Sequence, residues 1–256
     1  TDELTPDTEF DLMSSLAQPL PVIVIAEMLG IPPSERERFK EWSTIVATAT
    51  ELVPDPEELV RRRDATEEMV EFLGSIVDKR AESPEDDLIS AIVSDEDPDG
   101  DKLTRDEVIS FAILLLVAGN ETTTNLIGNS MLALLNYRES LNALVADKSL
   151  IPAAMEETLR YDSPVQGLVR VVKQDVELLG QSLPAGDVVM CMLGAANRDP
   201  ARYTEPEIFD IQREETRHLS FGHGIHFCLG APLARLEASI AYDSLLTRFS
   251  GFSPVK

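Results

Sequence analysis

One helix constrains what this chain can become. Thr104 opens it: "TRDE" is a capping box, in which Thr104 and Glu107 satisfy free amides of the first turn. The helical pattern continues to about Leu135, and its centre, "FAILLLVAGNETTTNLIGN", is apolar nearly all round. A helix without a polar face has little to show to water, so it is expected to run through the middle of the protein. It is not a membrane span. The strongly apolar run, Phe111 to Ala118, is far shorter than the roughly 20 residues that cross a bilayer.

The rest of the chain is proportioned for such a core. Its 256 residues can bury a substantial interior, and 43% apolar with 27% charged residues is ordinary for a soluble globular protein. The formal net charge of −24 is not ordinary. It argues against nucleic acid, whose phosphates demand excess Lys and Arg, and against an anionic membrane surface. The N-terminus, "TDELTPDTEF", is acidic and carries no apolar signal-peptide core. Cys191 and Cys228, the two cysteines, can form at most one bridge, so this is not a disulfide scaffold. A cytoplasmic location is the expectation.

Most of residues 1–161 reads as helix. Leu12 to Leu29 is apolar, is broken into two pieces by Pro19 and Pro21, and stops at Gly30 before "IPP". Ser34 to about Thr50 and Glu57 to about Glu82 are amphipathic, with acidic first turns. "SDEDPDGDK" is a solvated turn that lacks the ligand spacing of a calcium loop. Leu141 to Ala146 and Ile151 to Tyr161 continue the helices. From Val165 the β-branched runs punctuated by Gly and "LPAG" read as short strands, and 197–210 is loop-rich. After the cysteine segment, "APLARLEASIAYDSLLTRF" is helical again. The expectation is one mainly α domain with a minor β portion (α+β) over 1–256: mostly helical 1–161, β-rich and looped 162–227, and a cysteine-loop helix over 228–248.

Three segments carry chemistry. In "FGHGIHFCLG", glycines at 222, 224 and 230 permit positive φ and close backbone approach, as in a tight β-bulge under a flat ligand. Pro232 falls in the first turn of the next helix, which places Cys228 just ahead of that helix's free N–H groups, where a thiolate is favoured. Such a sulfur can be a nucleophile, an axial ligand to iron, or a buried structural group. In "AGNETT", a buried helix carries Glu121, Thr122, Thr123 and Thr124 beside the small Ala118 and Gly119. Acid next to alcohol suits proton delivery, and Thr122 can bond back one turn; close helix packing is the competing reading. In "EETLRYDSPV", Glu157 and Arg160 lie on one helix face and can pair, buried or exposed.

Taken in this order, the segments resemble the cytochrome P-450 family of haem-thiolate monooxygenases, of the soluble bacterial kind. Phe221, Gly222, Gly224, His226, Cys228 and Gly230 meet that family's cysteine motif; Glu121 and Thr122 meet its acid–alcohol pair, and Glu157 with Arg160 its Glu-x-x-Arg pair. "AANRDP", "EPEIFD" and "RHLSFGHG" resemble its connecting region. The resemblance implies the P-450 fold and haem b (iron protoporphyrin IX), with the Cys228 thiolate as the iron ligand. It implies haem-propionate contacts from His226 and Arg170, and a buried network of Glu157, Arg160 and Arg213. Ala118 and Gly119 would border the oxygen side of the haem, and Glu121 with Thr122 would deliver protons there. The implied reaction inserts one atom of O2 into a small hydrophobic organic substrate. Electrons would come from NAD(P)H through ferredoxin reductase and ferredoxin, with Arg217, Arg235 and Arg248 as candidates for a local basic docking area. His218 and His223 read as structural or surface groups, and Cys191 as core.

A complete family member would extend beyond both "TDELTPDTEF" and "FSGFSPVK". The fold is therefore expected to be incomplete, with weak haem retention and poor coupling. A non-catalytic haem-binding fragment is one alternative. A peroxide-using relative is another, against which the intact Glu121–Thr122 pair argues.

Overall fold

A computed structural model of the chain describes residues 9–47, 55–96 and 100–255. Contacts gather them into two compact units, Phe10–Thr124 and a second from Asn125 onward. The long helix belongs to both: α5, Arg105–Asn136, begins in the first and ends in the second.

The first unit is helical. A π-helical turn, Met13–Ala17, leads into α1, Pro19–Met28, so the proline-split run is indeed two pieces. Gly30 follows at φ +70°, the left-handed position that ends a helix without strain only in glycine. The site is also crowded, because a Cβ there would lie 2.2 Å from the Asp87 Oδ2 atom. α2, Arg36–Ala47, and α3, Pro56–Glu82, are the two amphipathic segments. The part of the expected α2 beyond Ala47, and the centre of "SDEDPDGDK", lie outside the described residues. Asp55 caps α3 by accepting the Glu57 N–H, and Asp87 caps α4, Leu88–Ser94, by accepting that of Ser90. Val22, Ile25 and Leu29 meet Phe39, Trp42, Met69, Leu73, Ile89 and Leu116 in one core. Burial of each such side chain contributes roughly 1.5–3 kcal/mol, which fixes this face of α5.

The capping box forms as read. Glu107 accepts from both the amide and the hydroxyl of Thr104. The expectation that α5 is enclosed all round needs correction. Leu114 is 59% exposed and Leu132 58%, and Ala118 and Glu121 on the same stripe are also exposed. Composition says how much of a helix is apolar, whereas the neighbours decide which stripe is covered.

The second unit combines helices with two small sheets. After α5 come α6, Arg138–Ala146, and α7, Ile151–Tyr161. The strands are β1, Leu168–Val171, β2, Val176–Leu178, β3, Gln181–Leu183, and β4, Val188–Cys191. β1 pairs antiparallel with β4, setting Leu168 opposite Cys191, and β2 pairs with β3 across a Leu179–Gly180 turn. A two-stranded ladder covers neither of its own faces, so Cys191 is exposed and is not the core residue expected from its apolar strand. A short helix, α8, Leu193–Ala196, then opens the loop-rich stretch. α9, Ala231–Arg248, has Pro232 in its first turn, and its Tyr242 donates to the Ile127 carbonyl of α5 at 2.9 Å. Among the described residues no helix is long and apolar enough to cross a membrane.

Candidate functional site

Cys228 sits on a short loop held at both ends. The Cys228 amide donates to the Phe221 carbonyl at 2.9 Å and closes the loop, and the Cys228 carbonyl accepts the Ala231 amide as α9 begins. Between them, Gly222 and Gly224 adopt φ +72° and +77°, which lets the chain reverse twice within a few residues; no strand runs through 221–230, so the segment is a turn and not the β-bulge expected. Gly230 differs from the expectation. Its φ is −77°, and a Cβ there would stand 3.8 Å from the Cys228 Sγ atom, an ordinary contact, so neither backbone conformation nor crowding requires glycine at this position. His226 ends a 3-10 turn, Gly224–His226, that turns its own side chain outward.

The loop presents an unusual surface. Cys228 is exposed, and beside it stand Ile225 at 98%, Phe227 at 52% and Leu229 at 74% exposure. Nothing lies within 4 Å of a Cβ built on Gly224. Among the described residues no group of three or more His, Cys, Asp or Glu is assembled for a metal. An iron bound at Cys228 is then one that arrives with its other ligands already in place, and the apolar, glycine-flattened surround suits the face of a porphyrin. Arg170, on β1, is exposed and donates only to the neighbouring Val169 carbonyl. It and the exposed His226 have no carboxylate partner among the described residues, which leaves both available to acidic groups of such a ligand. These residues fit a haem.

Behind the loop lies the Glu157 network. Arg160 has no exposed side-chain surface and Glu157 only 2%. Arg160 donates from Nε and Nη2 to the two carboxylate oxygens, both at 2.8 Å, and to the carbonyls of Asn197, Pro206 and Ile208 at 2.9–3.0 Å. Glu157 also accepts from the Asp210 amide at 2.8 Å and from Arg213 Nε at 3.3 Å, while Arg213 binds the carbonyls of Thr204, Glu205 and Ile208. Two guanidiniums and one carboxylate thus hold the irregular 197–210 stretch by its backbone. Asn197 carries the link onward, accepting the Leu219 amide and donating to Ser220, both next to the cysteine loop.

A third arrangement was not singled out from the sequence. Glu156 accepts from Arg235 Nε at 2.6 Å and Nη2 at 2.9 Å, and meets His218 Nε2 at 3.2 Å. Desolvation is the largest influence on its carboxyl and pushes the pKa up, but the bonds and charges of Arg235 and His218 together outweigh it and hold it at about 2. The Arg235 guanidinium is raised chiefly by its hydrogen bond to Glu156, against desolvation, with smaller contributions from the charges of Glu156 and Cys228. Arg235, one of the three candidates for a basic docking area, is therefore paired with Glu156. Arg217 is exposed. The signal in the sequence was the doubled acid "EE" of α7, whose two carboxylates leave the helix in different directions.

The acid–alcohol stretch lies in the first unit. Glu121 is exposed, contrary to the expectation that it is buried, and no hydrogen bond joins it to Thr122 among the described residues. Thr122 bonds back to the Ala118 carbonyl at 2.6 Å. Gly119 serves helix packing: a Cβ there would come within 2.7 Å of Ile25 Cδ1, so of the two small residues only Ala118 is exposed. Asn120 donates to Ser43 at 2.6 Å and Thr124 to the Ala17 carbonyl at 2.9 Å, which satisfies the buried polar groups on that side.

Comparison with known proteins places the chain in one family. The profile of the cytochrome P-450 family matches residues 39–254. PikC, a cytochrome P-450 monooxygenase of Streptomyces venezuelae, is 46% identical over 95% of this chain and 57% of its own length. The ligand-free structure of cytochrome P-450 TbtJ1 superposes with a TM-score of 0.94 at 46% identity, covering 99% of this chain and 67% of that one. CYP109E1 of Bacillus megaterium, solved with corticosterone, gives a TM-score of 0.88 at 43% identity over 93% of this chain and 64% of that one. The chain spans 57–64% of the length of the curated relatives it matches. With its cysteine loop, its Glu157–Arg160 network and a family match over most of its residues, this chain belongs to the cytochrome P-450 family.

Proposed function

We propose that the protein is a haem-dependent monooxygenase, a single haem-thiolate domain of the cytoplasm. It inserts one oxygen atom of O2 into a small hydrophobic organic substrate, using electrons that NAD(P)H supplies through a ferredoxin reductase and ferredoxin. The observation that carries the proposal is the exposed Cys228 on its glycine loop, ahead of the α9 N-terminus and among exposed apolar side chains. PikC is named a monooxygenase and CYP109E1 was solved with a steroid, which supports the reaction type and the apolar substrate class.

When bound, haem supplies the activation of dioxygen, and a thiolate ligand donates the electron density that favours O–O cleavage. The chain's own residues do the rest. Cys228 Sγ would provide the ligand, His226 and Arg170 would bind the propionates, and the exposed apolar side chains of the loop would pack on the bound group. Glu121 and Thr122 are the candidates for proton delivery. They are consecutive, about 100° apart around the helix, and no hydrogen bond joins them among the described residues, so each would act on the proton path separately. Thr122 holds its hydroxyl proton on the Ala118 carbonyl until a better acceptor draws it away.

Haem titration of the purified protein tests this. The reduced carbon-monoxide adduct is expected to show the strongly red-shifted Soret band of a thiolate ligand, and Cys228→Ala to lose it. An adduct that keeps the band in Cys228→Ala, or never shows it, sinks the assignment.

A further inference from the structure

Glu156 and Glu157 are adjacent, so their side chains leave α7 about 100° apart and serve different partners. Glu157 holds the 197–210 stretch. Glu156 instead grips Arg235 of α9 with two bonds, at 2.6 and 2.9 Å. The same guanidinium lies over the ring of Phe221, 4.5 Å from its centroid, and His218 tilts against that ring with centroids 5.8 Å apart. His218 Nδ1 accepts the Ser220 amide at 3.2 Å, so Nε2 carries the hydrogen and donates to Glu156. Phe221 is thus held by two side chains that one carboxylate ties together. Its carbonyl in turn fixes the Cys228 amide at 2.9 Å.

The loop between needs such an anchor. It contains two glycines at positive φ and side chains exposed to water, so little within it specifies where the sulfur stands. We propose that Glu156, Arg235 and His218 are positioning residues, a clamp that sets Cys228 for iron ligation by immobilising Phe221. The clamp rests on the haem-thiolate reading above and adds that the geometry of ligation is controlled from α7 and α9. Arg235 contributes doubly, since its stacking needs a planar cation and its anchoring needs a two-pronged donor.

The test uses haem-loaded protein and follows the reduced carbon-monoxide adduct as its red-shifted band converts to the unshifted form. Glu156→Gln and Arg235→Gln are each expected to speed that conversion roughly tenfold or more, as the loss of a hydrogen bond to a charged group implies. The double variant should be no faster than the quicker single one, because both changes break one contact. Arg235→Lys keeps the charge but not the fork, and should convert at an intermediate rate. The reduction potential should move with the conversion rate, whereas a merely structural role would change only the unfolding midpoint. A wild-type adduct lacking the shifted band overturns the haem-thiolate reading and the clamp together. A wild-type adduct that has the band, with both single variants converting at the wild-type rate or with additive effects in the double, overturns the clamp alone.

Discussion

Replacing Glu157 by Gln removes one charge from a site almost closed to solvent. Arg160 is fully enclosed and the side chain of Arg213 is 9% exposed. In the wild type their positive charges face the same carboxylate, which accepts four hydrogen bonds at 2.8–3.3 Å. Glutamine has nearly the same shape but turns one of those acceptors into a donor aimed at cations. Breaking a buried pair from one side costs about 3–5 kcal/mol, mostly the penalty of the charge left behind. An exposed pair would cost about 0–1 kcal/mol. The loss falls on the carbonyls that Arg160 and Arg213 hold, from Asn197 to Ile208. Amide hydrogen exchange read by peptide should therefore accelerate there by roughly a hundred- to a few-thousand-fold, at about 1.4 kcal/mol per tenfold. Arg160→Lys should resemble it, since one ammonium cannot reach two carboxylate oxygens and three carbonyls together. Acceleration below about threefold in Glu157→Gln would place the pair energetically with surface ion pairs. The account of the 197–210 stretch as held by its backbone would then be wrong.

Two further outcomes follow from the geometry. Gly30→Ala imposes a side chain on φ +70° and pushes it into Asp87, which caps α4 and bonds Arg80. It should destabilise the first unit by at least about 1–2 kcal/mol, measured as an earlier denaturant midpoint of Trp42 emission; an unchanged midpoint refutes it. The Glu156 carboxyl titrates at about 2 in the folded protein against an ordinary 4.5, so its contribution is full above pH 4.5 and is lost as pH falls toward 2. Allowing for a side chain that is 26% exposed, that loss is about 1–3 kcal/mol. It should appear as faster exchange of the 219–228 amides at pH 3 than the intrinsic pH dependence predicts, and no excess at pH 3 would contradict it.

The order of elements was legible because local signals and packing agree. Thr104 and Glu107 cap α5, Asp55 caps α3, and Gly30 ends the first helical run, each through groups within a few residues. What stayed hidden depends on distant neighbours. The exposed stripe through Leu114, Ala118 and Glu121 cannot be read from a sequence that is apolar around the whole helix. Cys191 misled for a similar reason. An apolar strand implies burial only if something covers it, and among the described residues β4 has one partner, β1.

The candidate site divides along the same line. Spacing alone placed Glu157 and Arg160 on one face, and glycine density marked the Cys228 loop. Arg213 and Arg235 are harder, because their partners lie 56 and 79 residues away along the chain. Arg235 carries no local sign of its partner. The chain has 46 acids against 22 Lys and Arg. That excess makes an acid within the fold the nearer partner, and Arg235 finds Glu156. Arg170 donates only to its neighbour's carbonyl although acids outnumber Lys and Arg about twofold, so position rather than supply keeps carboxylates from it.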